Sequence, residues 1–211
     1  VVIVDDASKD NSWEYIQKVV NEKKGIRAYR LDRNKGTAGT LNYGIERANG
    51  KYITFLSADD MREPWSLEAL VRACQANPHS FAYDDVMLFA KDKKAKEWRM
   101  GDYDFEKLLY KNHIHAGIVF PKAAWEDVGG YPEIMRRGRE DWAFNVALGI
   151  KGWCGVHVER FGYLYRREMQ NRSLTNTSPE HHRMFLDTIS GLFPEVYRGY
   201  RPEMCCGKKP K

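Results

Sequence analysis

The feature that most constrains the fold is a regular alternation of strand-like and helix-like segments at the start of the chain. Val1 to Val4 is a continuous apolar run rich in β-branched residues, which is typical of a strand covered on both faces. Two further runs, Ile26 to Leu31 and Tyr52 to Leu56, each follow a segment with apolar residues at helical spacing. This alternation predicts βαβ units and an α/β fold, a mostly parallel sheet flanked by helices.

The remainder of the chain continues the pattern less regularly. We predict helices at 65–76, 103–110, 123–128, 140–150 and 181–192, and strands at 81–89, 114–120, 156–158 and 163–165. Lys91 to Lys96 is expected to be a solvated hairpin tip, and Tyr83-Asp84-Asp85 a turn. No repeat or low-complexity linker divides the sequence, so residues 1–197 are predicted to form one domain, followed by a basic tail at 198–211.

Composition excludes several classes of protein. Hydrophobic residues make up 43% of the 211 residues, which excludes a disordered chain, and no apolar run is long enough for a membrane-spanning helix. The net charge of +5 is too weak to indicate nucleic-acid binding, although it would suit an anionic substrate or peripheral contact with a membrane surface. Cys74, Cys154 and the pair Cys205–Cys206 lack the spacing of a zinc site, so we expect reduced thiols and a cytoplasmic location.

Two of the predicted strands end in pairs of aspartates, Asp5-Asp6 and Asp59-Asp60. Because ligands of open α/β sheets bind beyond the carboxyl ends of the strands, both pairs are candidates for a nucleotide site. The first pair could accept hydrogen bonds from a nucleobase and a ribose, and the second could hold a divalent cation on a diphosphate. The alternative is that the carboxylates only cap the following turn or helix. Two pairs at equivalent strand ends favour the nucleotide site.

Six segments, in order from residue 1 to about residue 175, resemble the motifs of the family 2 glycosyltransferases, which are inverting, nucleotide-sugar-dependent enzymes of the GT-A fold. They are Val1 to Ser12, Asn34 to Gly36 with Leu41 to Ile45, Gly50 to Asp60, Gly129 to Tyr131, Gly138 to Trp142, and Tyr165 to Ser173. Each segment alone is weakly specific, but six in this order are a specific signal. The resemblance implies a Rossmann-like GT-A sheet. No segment matches the family's first strand–helix unit, so we expect the domain to be incomplete before Val1 or unusually short.

The resemblance also implies roles for individual residues. Asp141 would be the base that deprotonates an acceptor hydroxyl, with Glu140 as its orienting neighbour. Asp59 and Asp60, at the position of the family's Asp-x-Asp motif, would hold Mn²⁺ or Mg²⁺ together with Glu168. Arg139 and Arg166 would contact the diphosphate. The nucleotide, usually carrying uracil, would be bound by Asp5, Asp6, Asn34, Gly36, Asn42 and Ser57.

Two positions depart from the family pattern. Ser57 replaces the first aspartate of Asp-x-Asp, and Glu168 stands where many members have a histidine that can bind the metal. Glu168 could still offer an oxygen ligand or be a surface charge, and Glu140-Asp141 could instead be favourable charge at a helix N-terminus. Two hypotheses follow. The first is a metal-assisted transferase that moves a sugar from a nucleotide donor, UDP-linked by preference, to a hydroxyl of a saccharide or other acceptor. The second is a non-catalytic nucleotide-sugar or glycan-binding module on the same fold.

Overall fold

The computed structural model describes residues 1–90, 93–136, 138–167 and 178–203. The elements of the first half are β1 (Val2–Asp5), α1 (Ser12–Glu22), β2 (Arg27–Arg30), α2 (Gly36–Glu46), β3 (Tyr52–Thr54), β4 (Met61–Arg62), α3 (Ser66–Ala76) and β5 (Ser80–Ala90). Those of the second half are β6 (Lys93–Trp98), α4 (Phe105–Tyr110), β7 (Val119–Pro121), α5 (Lys122–Val128), α6 (Glu140–Ile150), β8 (Cys154–Arg166), α7 (Pro179–Leu192) and α8 (Pro194–Tyr197). The strands and helices before residue 60 fall where the alternation predicts them.

The described strands form two sheets. β1 and β2 pair in parallel, and the larger sheet has the order β3-β7-β5-β8-β4, with β6 paired to the second half of β5. β5 and β8 run parallel from Ser80 opposite Cys154 to Phe89 opposite Arg166, while the other strand pairs of this sheet are antiparallel. The predicted α/β fold class is confirmed, and the larger sheet mixes the two strand directions.

Hydrophobic clusters cover both faces of the larger sheet. α6 packs Trp142 and Phe144 into the larger cluster, which also holds Phe81 of β5, whereas Ala82 belongs to a smaller cluster with Leu70 of α3. Because consecutive residues of a strand point to opposite faces, these two clusters lie on opposite sides of β5. β5 is therefore a central buried strand, and its side chains can support a site at its carboxyl end.

The structure corrects three predicted segments. Tyr83-Asp84-Asp85 is the buried centre of β5 rather than a turn. The strand predicted at 114–120 begins only at Val119, as β7, because polar groups of the preceding loop bond to Asp84 and Arg62. A shift in the pairing of β5 with β8 accommodates extra residues in β8, so the strands predicted at 156–158 and 163–165 are one continuous strand.

One cysteine also differs from expectation. Cys74 is a buried free thiol whose pKa burial raises to about 12, but Cys154 is disulfide-bonded, which contradicts the prediction of reduced cysteines. Cys205 and Cys206 lie outside the described residues. In the predicted basic tail, Arg201 donates to Glu106 of α4 at 2.8 Å.

Within the described segments, none of the helices combines the length and the apolar character that crossing a bilayer requires.

Candidate active site

The first acidic pair lies between the end of β1 and the start of α2. The carboxylate of Asp6 accepts hydrogen bonds from the backbone N–H groups of Lys35 at 2.7 Å and Gly36 at 3.0 Å, and its carbonyl oxygen accepts one from Asn34 Nδ2 at 3.2 Å. Gly36 has a φ of +74°, in the left-handed region that glycine adopts at little cost. The structure therefore brings Asp6, Asn34 and Gly36 together, and Asp6 binds N–H groups at the start of α2 rather than those of α1, the following helix that the capping alternative names.

Asp5 is buried, and its carboxylate is used by the fold. One oxygen accepts a hydrogen bond from the backbone N–H of Ser8 at 3.2 Å, and the other lies 3.2 Å from Nε of Arg30. The guanidinium of Arg30 also donates to the carbonyl oxygen of Ser8 at 2.9 Å. Asp5 thus ties the turn after β1 to β2, and its contact with a nucleotide stays a prediction.

The second acidic pair separates into a buried and an exposed carboxylate. Asp60 accepts hydrogen bonds from the Tyr163 hydroxyl at 2.7 Å and from the backbone N–H of Arg166 at 2.9 Å. Burial raises the pKa of Asp60, although these hydrogen bonds and one from Ser57 favour its charged form. Asp59 is exposed, and its carboxylate has no bonded partner within the described segments. Its carbonyl oxygen accepts a hydrogen bond from Nε of Arg166 at 2.8 Å, so the structure brings Asp59, Asp60 and Arg166 together.

These environments differ in how well they fit a divalent cation. An exposed carboxylate with both oxygens free, such as that of Asp59, is the kind of hard oxygen ligand that Mn²⁺ and Mg²⁺ accept. Asp60 already uses both oxygens, and as a metal ligand it stays a prediction. Glu168 lies outside the described residues. Asp59 is accordingly the residue of the pair that fits a metal best.

A buried charge network adjoins the second acidic pair. Arg62 on β4 lies 4.9 Å from the centre of the Tyr163 ring, donates to Ser66 Oγ at 2.6 Å and pairs with Asp84 at 3.3 Å. It also donates to the carbonyl oxygen of Gly117. Burial lowers the pKa of Arg62, and the negative charge of Asp84 acts in the opposite direction. Arg62 thus joins β4, β5 and the loop before β7 behind Tyr163.

The carboxylate of Asp84 is satisfied from two sides. One oxygen contacts Arg62, and the other lies 3.1 Å from His115 Nε2. Because the backbone N–H of Gly117 donates to Nδ1 of the same imidazole at 3.1 Å, a neutral His115 carries its proton on Nε2 and donates it to Asp84. Burial opposes ionisation of Asp84, but His115 and Arg62 outweigh it and lower the pKa of this carboxyl. The network fixes the loop before β7 against β5.

Asp141 lies in the first turn of α6 beside Glu140. Its Oδ2 accepts a hydrogen bond from Asn112 Nδ2 at 2.9 Å. Burial raises the pKa of Asp141, against the positive charge of Arg139 and the hydrogen bonds from Trp142 and Asn112. Arg139, the residue before the helix, has a left-handed φ of +64°. A positioned carboxylate with a raised pKa has the properties of a general base.

The loop between α4 and β7 connects Asp141 with the second acidic pair. Asn112, near the start of this loop, bonds to Asp141, and the ring of His115 lies 4.7 Å from that of Tyr163, which donates to Asp60. A Cβ at Gly117 would lie 2.2 Å from the Tyr163 ring, so the loop can pass this close only with glycine there. One loop thus contacts Asp141 directly and Asp60 through Tyr163.

Asn42 connects α2 with the segment that precedes α6. Its Oδ1 accepts hydrogen bonds from Trp125 Nε1 at 3.1 Å and from the Tyr131 backbone N–H at 2.8 Å, while Nδ2 donates to the Tyr131 carbonyl at 2.9 Å and to Glu133 at 3.4 Å. These contacts fill the four hydrogen-bonding positions of the amide. Burial and the negative charge of Asp141 raise the pKa of Tyr131, so this segment also adjoins the base candidate. As a nucleotide contact, Asn42 stays a prediction.

Sequence reasoning missed the residues that hold the predicted ones in place. Asn112, which bonds to Asp141, stands in an irregular loop where no periodicity marks it. Tyr163 and Arg62 belong to strands, where an aromatic or a long side chain carries no specific signal. One sequence signal could have indicated the charge network, namely the pair Asp84-Asp85 within an apolar run. The structure buries both carboxylates, and a buried carboxylate requires partners.

Comparison with known proteins supports the family resemblance. The family model described as Glycosyl transferase family 2 matches residues 1–127. A protein of Mycobacterium bovis, strain BCG, named PGL/p-HBAD biosynthesis glycosyltransferase is 28% identical over 151 residues, covering 69% of this chain and 56% of that protein. This chain thus spans little more than half the length of that relative.

Two solved structures have a similar fold. S. aureus TarS (residues 1–349) in complex with UDP-GlcNAc superimposes with a TM-score of 0.70 at 18% identity, covering 90% of this chain and 56% of that one. The mannosyltransferase PcManGT of Pyrobaculum calidifontis, in complex with GDP-Man and Mn²⁺, gives a TM-score of 0.68 at 16% identity, covering 96% of this chain and 56% of that one. At these identities the likeness shows the fold alone, which is the GT-A type that the motifs predict. Since the family model covers more than half of the sequence, this chain belongs to glycosyl transferase family 2.

Proposed function

We propose that the chain carries the active site of an inverting glycosyltransferase, which moves a sugar from a nucleoside diphosphate, UDP by preference, to a hydroxyl of a saccharide or other acceptor. The observation that carries this proposal is the environment of Asp141. Its carboxylate is partly buried, has a raised pKa and is oriented by Asn112 at 2.9 Å. A structural carboxylate at a helix N-terminus would be expected to have a lowered pKa, because the helix dipole favours its charged form.

In this proposal Asp141 removes the proton of the acceptor hydroxyl. The acceptor oxygen then forms a bond to the anomeric carbon of the sugar, while the bond from that carbon to the diphosphate oxygen breaks and the diphosphate leaves with the electron pair. The proton ends on the Asp141 carboxylate. Inversion requires the base and the leaving group on opposite faces of the sugar, and the raised pKa makes Asp141 a better proton acceptor than an exposed aspartate. Glu140, its neighbour in the first turn, would orient the Asp141 carboxylate.

The donor would be bound at the two strand ends. Asp6, Asn34 and Gly36 form one polar cluster, which would contact the base and ribose with Asp5 and Ser57. Arg166 lies beside Asp59 and Asp60, where its guanidinium would meet the diphosphate, and Arg139 would meet it from the side of α6. A divalent cation held by Asp59, when bound, would neutralise charge on the departing diphosphate. Supporting observations are that PcManGT was solved with GDP-Man and Mn²⁺, and TarS with UDP-GlcNAc.

Asp141→Asn is the direct test of the base. Asparagine can still accept the hydrogen bond from Asn112, so donor affinity should persist while transfer falls by roughly a hundredfold or more. Because burial raises the pKa of Asp141, its charge costs stability at neutral pH, and the variant should unfold at an equal or higher temperature than the parent. Glu126→Gln, an exposed carboxylate exchange on α5, is the matched control and should leave transfer unchanged.

The pH profile of transfer supplies a second readout. Asp141 acts as a base only when ionised, so its raised pKa places the acid limb of the profile above the ordinary aspartate range. Transfer that survives in Asp141→Asn, or an acid limb at the ordinary aspartate pKa, would contradict the base assignment. Calorimetric binding of UDP with Mn²⁺ but no turnover of any UDP- or GDP-sugar would favour the alternative, a non-catalytic nucleotide-sugar or glycan-binding module.

The location of the protein belongs to the same proposal. We propose a cytoplasmic protein that contacts a membrane surface peripherally. The net charge of +5 and the sequence pI of about 8.9 support the surface contact, whereas the disulfide bond of Cys154 counts against the reducing compartment that the cysteine spacing predicts. Co-sedimentation with vesicles containing anionic lipid, compared with neutral vesicles, tests the surface contact. Binding to neither type would remove it from the proposal.

A further inference from the structure

Three potential metal ligands meet on β8 and the loop that follows β6. His157 and Glu159 are two residues apart on β8, and Asp102 lies between β6 and α4. One ligand atom from each of the three lies within 4.8 Å of the others. His157 precedes the pairing shift in β8 and Glu159 lies within it, whereas Tyr163 and Arg166, which contact Asp60, follow it. No residue assigned above to the donor or the base belongs to this group.

The imidazole of His157 has one satisfied and one unsatisfied nitrogen. Its side chain is only 6% exposed and stacks on Tyr83, with 5.2 Å between ring centres. Nε2 lies 2.9 Å from Asp85 Oδ1, an acceptor, so Nε2 carries the proton of the neutral ring. Nδ1 then presents a lone pair, is buried without a hydrogen-bond partner among the described residues, and lies 4.0 Å from Asp102 Oδ1.

We propose that Asp102, His157 and Glu159 bind a divalent transition-metal ion of the zinc type, with water completing its coordination. The Nδ1 lone pair and the two carboxylates are all electron-pair donors, and they face one another. A cation bound between them would satisfy all three groups. The hydrogen bond from the opposite ring nitrogen to Asp85 is the carboxylate contact that typically orients a metal-binding histidine. A nitrogen ligand with two carboxylates suits zinc better than magnesium, which prefers oxygen alone.

The geometry requires only a small closure. Bonds of about 2.0–2.1 Å to a tetrahedral ion place ligand atoms roughly 3.4 Å apart. The Nδ1 to Asp102 distance of 4.0 Å is therefore slightly long, and Asp102, with a side chain 95% exposed, is free to rotate inward. Glu159 is exposed as well. His157 is held rigidly by Tyr83 and Asp85 and would be the fixed ligand.

Such an ion would fasten the loop after β6 to β8. This loop leads into α4, whose N-terminus is capped by Asp104, and α4 leads to Asn112 and its bond to Asp141. The ion would therefore stabilise the segment that positions the base candidate. Removal of this ion should then loosen the segment without affecting the cation site that is predicted at Asp59.

The test is Zn²⁺ binding to the full chain after treatment with a chelator, measured by calorimetry without nucleotide. Asp102→Asn and Glu159→Gln change exposed side chains, so both variants should fold, whereas replacement of the buried His157 could disturb the core. Each is expected to weaken Zn²⁺ binding roughly tenfold or more. Glu68→Gln, an exposed carboxylate on α3, should leave it unchanged.

Nitrogen NMR of the histidine side chains provides the second readout, because Zn²⁺ should shift the Nδ1 resonance of His157 selectively. Zn²⁺ that leaves His157 unshifted, binding that both ligand variants retain, or no binding at all would overturn the proposal. Mg²⁺ at the same concentration is expected not to displace Zn²⁺, and displacement would overturn the zinc-type assignment.

Discussion

The two acidic pairs look alike in the sequence but use their carboxylates differently. In the first pair both are engaged, Asp5 in a salt bridge and Asp6 with the first N–H groups of α2. In the second pair only Asp60 is engaged, by a tyrosine hydroxyl and a backbone N–H, while Asp59 remains exposed. The partners around a strand-end aspartate therefore decide how much of its carboxylate remains available to a ligand. Substitutions can separate these two uses.

The largest effect is expected from the charge network behind the second pair. Arg62→Met would leave Asp84, which is 0% exposed, without its cationic partner. Breaking one side of a buried pair should lower the free energy of unfolding by about 3–5 kcal/mol, measured by urea denaturation at neutral pH. Arg72→Met removes an exposed partner of Glu68 and should cost about 1 kcal/mol or less. Equal losses in the two variants would contradict a structural role for the network.

A smaller loss is expected when the hydroxyl that holds Asp60 is removed. Tyr163→Phe deletes the donor at 2.7 Å while keeping the ring, so a buried carboxylate loses one hydrogen bond. We expect the free energy of unfolding to fall by about 1.5–3 kcal/mol. Tyr15→Phe, at an exposed tyrosine of α1, is the control. A loss no greater than that of the control would mean that Asp60 does not depend on this bond.

The first pair should respond more weakly still. Asp6→Ala removes the acceptor for the N–H groups of Lys35 and Gly36, which is comparable to losing a helix cap. The free energy of unfolding should fall by about 1 kcal/mol. Asp32→Ala, at an exposed aspartate in the loop between β2 and α2, should show no comparable change. Identical denaturation curves for the two variants would contradict the assignment of Asp6 to the fold.

Substitution of Asp59 should have the smallest effect on stability and a clear effect on donor affinity. Its carboxylate is exposed and unbonded within the described segments, so Asp59→Asn should leave the free energy of unfolding within about 0.5 kcal/mol of the parent. Affinity for UDP in the presence of Mn²⁺ should fall roughly tenfold or more, because a cation ligand is lost. Unchanged Mn²⁺-dependent affinity would place the cation elsewhere.

Elements with a strong period could be predicted from the sequence, and irregular ones could not. α6 has the predicted bounds, Glu140–Ile150, because its apolar residues recur at helical spacing. The apolar run at 114–120 predicts a strand. Instead of pairing with a strand through backbone hydrogen bonds, His115 contacts the side chain of Asp84, and the carbonyl oxygen of Gly117 accepts a hydrogen bond from the side chain of Arg62. Such tertiary contacts override local pattern and leave no trace in the spacing of residues.

For the candidate site, the sequence predicts the residues but not their partners. Asp59 and Asp60 are brought together with Arg166 as the motifs suggest, although Arg166 lies more than a hundred residues farther along the chain. The bond from Asn112 to Asp141 joins residues 29 positions apart and has no motif. The group of Asp102, His157 and Glu159 is likewise formed by strand pairing and loop position, which only coordinates show.

The central claim is that carboxylates from three separate segments act on one donor. The most direct measurement is a crystal structure of the chain with UDP and Mn²⁺. We expect the ion to lie on the Asp59 carboxylate, with the uridine at Asp6 and Asn34 and with Asp141 facing the diphosphate across the space that a sugar would occupy. UDP bound away from these residues, or Asp141 directed to a different surface from Asp59, would contradict it.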